Sequence, residues 1–184
     1  MKDIYIVITY TGTYLSKAIK LYTKNTYTHV SIALDKELEE LYSFGRHYSY
    51  TLFPAGFVHE GIDFGTFKRF KKTKAVVFSK TVTEEQYDRI QHVIKQMEKD
   101  KEKYRFNIIG MAAVSLGKQV ERENYFYCAE FVRYILSEAG VETEELPKIV
   151  KPQDFTKLKG INSIYEGFLQ EYSYKENEKH IKCG

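Results

Sequence analysis

The chain has no tryptophan, and only two cysteines, three prolines and three methionines in 184 residues. Two cysteines, of which Cys183 stands in a polar tail, make no disulfide framework. The expectation is a cytoplasmic chain with reduced thiols. No second Cys or His stands at ligand spacing from Cys128, so no metal site is expected there, and nothing in the sequence calls for a cofactor. No stretch approaches the ~18 apolar residues of a membrane span, so no transmembrane segment is expected. The opening "MKDIYIVITYTG" carries Asp3 and no cleavage-type site, which argues against a signal peptide. Charge of one sign is scarce too: 28 Lys and Arg against 25 Asp and Glu leave a net charge of +3. That excess is too mild to argue for a nucleic-acid partner, and no zinc-finger or RNA-recognition signature stands beside the "KRFKKTK" run at 68–74.

What is present is an ordinary globular composition, 43% hydrophobic and 29% charged, of a length that suits one hydrophobic core. The reading is one α+β domain over 1–174 and a flexible polar tail over 175–184. Tyr (16) and Phe (12) are abundant, which suits clefts with apolar walls and polar tips. "IYIVIT" at 4–9 reads as a buried strand and "YTGT" at 10–13 as a turn. Leu15, Ile19 and Tyr22 have helical spacing. "THVSIAL" at 28–34 alternates, with Val30, Ile32 and Leu34 on one side and His29, Ser31 and Ala33 on the other. A polar "DKE" turn leads back into "EELYSF", so His29 lies on a hairpin. Residues 45–63 read as a long aromatic connection, the kind that often carries function. "GTFKRF" and "KAVVFSKT" read as strands. Thr83 and Gln86 form a capping box that opens a helix with a Tyr87, Ile90, Ile94, Met97 stripe. "RFNIIGMAAVSLG" suggests a short buried helix. A further helix runs from Cys128 to Ala139, stopped by Gly140, and "NSIYEGFLQEYS" suggests a last strand.

Cys128 is the foremost chemical candidate. The nucleophile is the thiolate, and a helix start stabilises negative charge through its free N–H groups and dipole. A buried Cys is also a common small core residue, so a base must accompany it. Five histidines are available. His92 lies on a charged helix and His180 in the tail, while His47 and His59 flank the long connection. Only His29 sits in a strongly patterned strand, beside the small residues Ser31 and Ala33. Glu130 reads as support for the helix start.

"YTHVSIAL", followed about a hundred residues later by "FYCAEFVRYIL", resembles the circularly permuted, NlpC-type papain-like superfamily that includes the YiiX/YycO-like proteins. There the His-bearing strands precede the Cys-bearing helix. "YCAEFV" also resembles the Asn-Cys-Glu-His-Phe-Val signature of the lecithin:retinol acyltransferase family, with Tyr127 in place of Asn and Ala129-Glu130 in place of Glu-His. The resemblance spans roughly Ile4 to Tyr172. It implies an antiparallel sheet packed against the helix that carries Cys128, and a cysteine hydrolase acting through a thioester. In that scheme Cys128 attacks a carbonyl and His29 moves the proton. The third residue would come from the strand after His29. A three-residue turn puts Ser43 opposite His29, with Glu40 as second choice. An oxyanion hole would combine the Cys128 N–H with the turn at Tyr10 and Gly12. Arg46, His47, His59 and Glu60 are candidates for selecting substrate. The expected substrate is a cell-wall-derived or other small peptide, with lipid acyl transfer, thioester hydrolysis or a ligand-binding module as alternatives; Arg46 and Glu60 suit charged ends, Phe53 and Phe57 an apolar groove.

Overall fold

A computed structural model describes residues 1–13, 16–17, 20, 26–51 and 53–172. The helix expected over Leu15, Ile19 and Tyr22, and the tail from 175 on, lie outside the described residues. Eight strands form one sheet in the order β7-β6-β4-β3-β2-β1-β5-β8. They are β1 (Lys2–Tyr10), β2 (His29–Ala33), β3 (Leu41–Arg46), β4 (Ala55–Glu60), β5 (Lys74–Val82), β6 (Arg105–Phe106), β7 (Tyr125–Phe126) and β8 (Ile161–Phe168). Among the described residues, the α-helices with defined bounds are α1 (Gly65–Arg69), α2 (Glu84–Lys99), α3 (Ile108–Ser115) and α4 (Cys128–Glu138). Neighbouring strands run antiparallel except β6 and β7, which are parallel. The sheet is therefore mixed, where a wholly antiparallel one was expected.

The apolar run of β1 follows from its central place. Ile4, Ile6 and Ile8 face a core shared with Ile90, Ile94 and Met97 of α2 and with Phe131, Val132 and Ile135 of α4. Tyr5 and Val7 face a second cluster with Phe67, Leu169 and Tyr172. A strand covered on both faces has no polar side to show. Burying each of the large aliphatic side chains contributes about 1.5–3 kcal/mol. The capping box of α2 is present: Gln86 N–H donates to Thr83 Oγ1 at 3.1 Å, and Thr83 N–H donates to Gln86 Oε1 at 3.0 Å. Gly140, at φ +68°, ends α4 in a left-handed conformation that glycine adopts without strain.

Three expectations are corrected. "GTFKRF" is one helical turn, not a strand: Phe67 alone is buried, and Phe70 N–H bonds back to Thr66 O at 3.0 Å. The long connection 45–63 contains β4, whose Phe57 enters the core. Pro54, Gly56 and Gly61 hid that strand, yet Gly56 is needed within it, since a Cβ there would stand 2.8 Å from Tyr104 O. The helix of 105–117 is only partly buried, for Ile108, Ile109 and the following Leu116 are exposed.

Candidate active site

The site forms at one end of β2 and β3, where the start of α4 meets His29. His29 opens β2, paired with Thr9 of β1. The β2–β3 pairing sets Ile32 beside Tyr42 and Ala33 beside Leu41. Continued, that register sets Ser31 beside Ser43 and His29 beside Gly45. The turn is longer than three residues: Leu34 N–H bonds to Glu40 O, and Asp35 carboxylate oxygens accept the Glu39 and Glu40 N–H groups at 2.8 and 2.6 Å. The expected pairing of His29 with Ser43 is therefore off by two residues. Glu40 is exposed on the turn, away from His29.

The carboxylate against His29 is Glu60, at the end of β4. His29 Nε2 lies 3.1 Å from Glu60 Oε1 and 3.2 Å from Oε2. Ser31 Oγ donates to Glu60 Oε2 at 2.5 Å. Ser43 stands on the strand between Ser31 and Glu60, and its small side chain leaves the space that the carboxylate crosses. Ser43 Oγ is buried with no hydrogen-bond partner within 3.5 Å, yet it lies close enough to help hold the Glu60 carboxyl down. The His29 and Glu60 side chains are 20% and 12% exposed, so solvent screens the pair little.

Burial by itself would lower His29. The Glu60 charge, with hydrogen bonds to Cys128 and Glu60, overcomes burial and pushes the imidazole up to about 10. Burial would raise Glu60, but the His29 charge and the bonds from His29 and Ser31 hold it below the usual carboxylate range. With Nε2 committed to Glu60, Nδ1 is the ring nitrogen left for the thiol.

Cys128 is the first residue of α4 and is 8% exposed. Its N–H belongs to the first turn, whose N–H groups have no intrahelical partner. The helix start is pinned twice. Glu130 Oε2 accepts the Tyr127 N–H at 3.1 Å, and the Tyr127 hydroxyl donates to Val150 O at 3.0 Å. Asn107, fully buried, ties this corner together: its Nδ2 donates to Val120 O at 2.9 Å and to Glu130 Oε2 at 3.4 Å, while its Oδ1 accepts Gly110 N–H at 2.9 Å. Burial holds the Glu130 carboxyl up to about 7.

Cys128, His29 and Glu60 open onto a cavity of about 300 Å³. One wall is apolar, with Phe44, Phe53, Phe106, Ile108 and Met111. Arg46 lines it as well. Tyr10 and Gly12 do not line the cavity; their neighbours Thr11 and Thr13 do, with Ser16. These three hydroxyls form a chain, with Oγ1–Oγ1 3.3 Å between the threonines and 3.3 Å from Thr13 Oγ1 to Ser16 Oγ. Gly12 has φ +68° and serves the turn. His47 is exposed, His59 stacks on Tyr42 at 5.0 Å and bonds to Glu39 O, and His92 is exposed on α2. His180 lies outside the described residues. Sequence reasoning missed the pairing of Glu60 with His29 and the hydroxyl chain. "AGFVHE" carries a strand-like core that was one signal for the former.

No protein-family model matches the chain, and no curated protein matches it. Among solved structures it is similar to that titled "metalloprotein yiiX from Escherichia coli O157:H7", at 16% identity and a TM-score of 0.52. Among the described residues no three His, Cys, Asp or Glu side chains stand together so as to hold an ion. The described residues thus offer no donor set for a metal ion such as that protein's name implies. What the comparison carries is fold: the α+β arrangement is similar to that of yiiX over 91% of this chain and 98% of that one.

Proposed function

We propose that the chain is a cysteine hydrolase of the permuted papain-like type, cleaving an amide of a small peptide through a thioester on Cys128. The observation that carries this reading is the Glu60–His29 pair, with Nε2 at 3.1 Å from the carboxylate and the thiol of a helix-start cysteine against the same imidazole. Cys128 Sγ attacks the carbonyl carbon, and the carbonyl π electrons move to oxygen. The Cys128 N–H, and the hydroxyl of Thr11 at the end of a chain in which Thr13 donates to Ser16 Oγ and Ser16 to Thr13 O, are the donors at hand for that oxyanion. The C–N bond breaks as imidazolium His29 gives its proton to the leaving amine. Glu60 keeps the ring protonated and oriented until then. Acylation also takes away the free Cys128 sulfur that helps hold the His29 proton. The imidazole of the acyl-enzyme is thereby freer to take a proton from water. Hydroxide adds to the thioester, the C–S bond breaks, and the product acid leaves.

A second reading within the same chemistry, hydrolysis of an ester or thioester with an apolar acyl group, is favoured by the Phe44, Phe53, Phe106, Ile108 and Met111 wall. Intact-mass spectrometry tests both. The chain is mixed with a panel of short acyl amides, p-nitrophenyl esters and thioesters, and quenched in acid. A transient acyl adduct that maps to Cys128, and is absent in Cys128→Ala and slowed in His29→Ala, is the expected result. Turnover that survives Cys128→Ala, or no adduct from any member of the panel, overturns the proposal.

A further inference from the structure

One arginine, Arg46, lines the cavity, and a second, Arg69, stands beside the same ring. Arg46 ends β3, is half-buried and lines the cavity that Cys128 and His29 open onto. Its Cζ lies 5.9 Å from the centroid of Phe70, and Arg69 Cζ lies 5.8 Å from the same ring. Neither guanidinium forms an ion pair among the described residues. Two like charges around one ring repel, and the ring returns only part of that through cation–π attraction. Arg46 is held below its ordinary value by burial and then by Arg69, with Glu60 acting the other way. Removing half a guanidinium from water without pairing it is costly, and such stress collects where a ligand relieves it. The fork of an arginine suits an oxyacid, either carboxylate or phosphate. The same cavity is lined by Phe44, Phe53, Phe106, Ile108 and Met111, and about 300 Å³ is at the small end of ligand pockets.

We propose that Arg46, backed by Arg69, is a specificity-determining anion anchor, and that the substrate is a small acyl compound with an apolar arm and one carboxylate or phosphate group. This names the substrate class of the hydrolase reading and rests on it, but the anchor is tested without turnover. Cys128 is alkylated with neutral iodoacetamide and with anionic iodoacetate, and the rates are resolved by peptide mass spectrometry against N-acetylcysteine. The iodoacetate-to-iodoacetamide ratio at Cys128 exceeds that of the free thiol. In Arg46→Gln it falls about fivefold, the effect of removing one nearby charge at an intermediate dielectric, and Arg46→Lys retains part of it. A ratio that is the same in wild type and Arg46→Gln overturns the anchor while leaving the dyad standing. A Cys128 inert to both reagents sinks the hydrolase reading instead. The anchor is then read in wild-type protein by the Arg46 Nε–Hε NMR resonance, titrated with hexanoate, hexyl phosphate, hexanol and hexylamine. Saturable shifts with hexanoate alone assign a carboxylate, and with hexyl phosphate alone a phosphate. Shifts with neither anion, or equal shifts with hexanol, overturn the proposal.

Discussion

Replacing Glu60 by Gln keeps the size of the side chain and removes one negative charge from beside His29. The carboxylate oxygens lie 3.1 and 3.2 Å from Nε2. At that separation unit charges attract by about 5 kcal/mol at an effective dielectric of about 20. The amide oxygen that replaces the carboxylate returns part of this by accepting a hydrogen bond. A net loss of about 3 kcal/mol, at about 1.4 kcal/mol per pH unit, lowers the His29 midpoint by about two pH units from its position near about 10. The assay is an NMR titration of the His29 Cε1–H, identified by its loss in His29→Ala. The same substitution marks the stability profile. His29 holds its proton more tightly folded than at the ordinary 6.5. Its contribution is therefore complete below pH 6.5 and is lost as pH rises through about 10. Glu60, held below 4.5, contributes above pH 4.5 and loses that contribution as pH falls through its lowered value. From this pair alone, stability is greatest between pH 4.5 and 6.5. The urea midpoint then declines towards pH 10, and Glu60→Gln flattens the decline. A His29 that titrates near 6.5 in wild type, or at the same pH in both proteins, refutes the reasoning.

Glu130 has the opposite sign: burial raises its carboxyl from 4.5 to about 7, so its ionisation subtracts stability as pH rises through that range, and urea midpoints of Glu130→Gln lose this slope. An unchanged slope counts against the burial argument. Thr83→Ala removes the oxygen that accepts Gln86 N–H and costs about 1 kcal/mol in equilibrium unfolding. An unaltered midpoint means that the capping box carries no stability. Phe131 is fully buried and lies 5.2 and 5.8 Å from the rings of Phe44 and Phe57. Phe131→Ala costs about 3–5 kcal/mol by urea denaturation, and a loss under about 1 kcal/mol shows that the cluster is not a packed core.

The elements legible from sequence are those whose pattern is long enough to repeat. β1 announces itself by apolar residues on both faces, β2 by alternation, α2 by its stripe and capping box, and α4 by its stripe and terminal glycine. The short elements are not legible in this way. β6 and β7 have two residues each, fewer than one period, and their pairing is decided by distant chain. α1 shows one buried side chain and two phenylalanines three apart, which strand and turn share as a signature. The meeting of Cys128 and His29 was readable because each sits at the start of a well-patterned element. The meeting of Glu60 and His29 was not, because it depends on the registers of β2, β3 and β4 at once. A turn longer than the "DKE" tripeptide moved the register by two residues, carrying Ser43 from beside His29 to beside Ser31. The hydroxyl chain of Thr11, Thr13 and Ser16 depends on where a turn sits in space, which local spacing does not encode.

The corner held by Asn107 constrains how this chain diverges. A Cβ at Gly110 would run into the Asn107 side chain, so residue 110 gains a side chain only after residue 107 has changed. If Asn107 changes first, Glu130 keeps the Tyr127 N–H but loses its side-chain donor, and the residue two places after Cys128 becomes a costly carboxylate to bury. Substitutions at 107, 110 and 130 are thereby bound to one order of events. Across descendants of this sequence the three positions should covary as a set, with the history of the nucleophile's helix written partly in a helix that carries no chemistry.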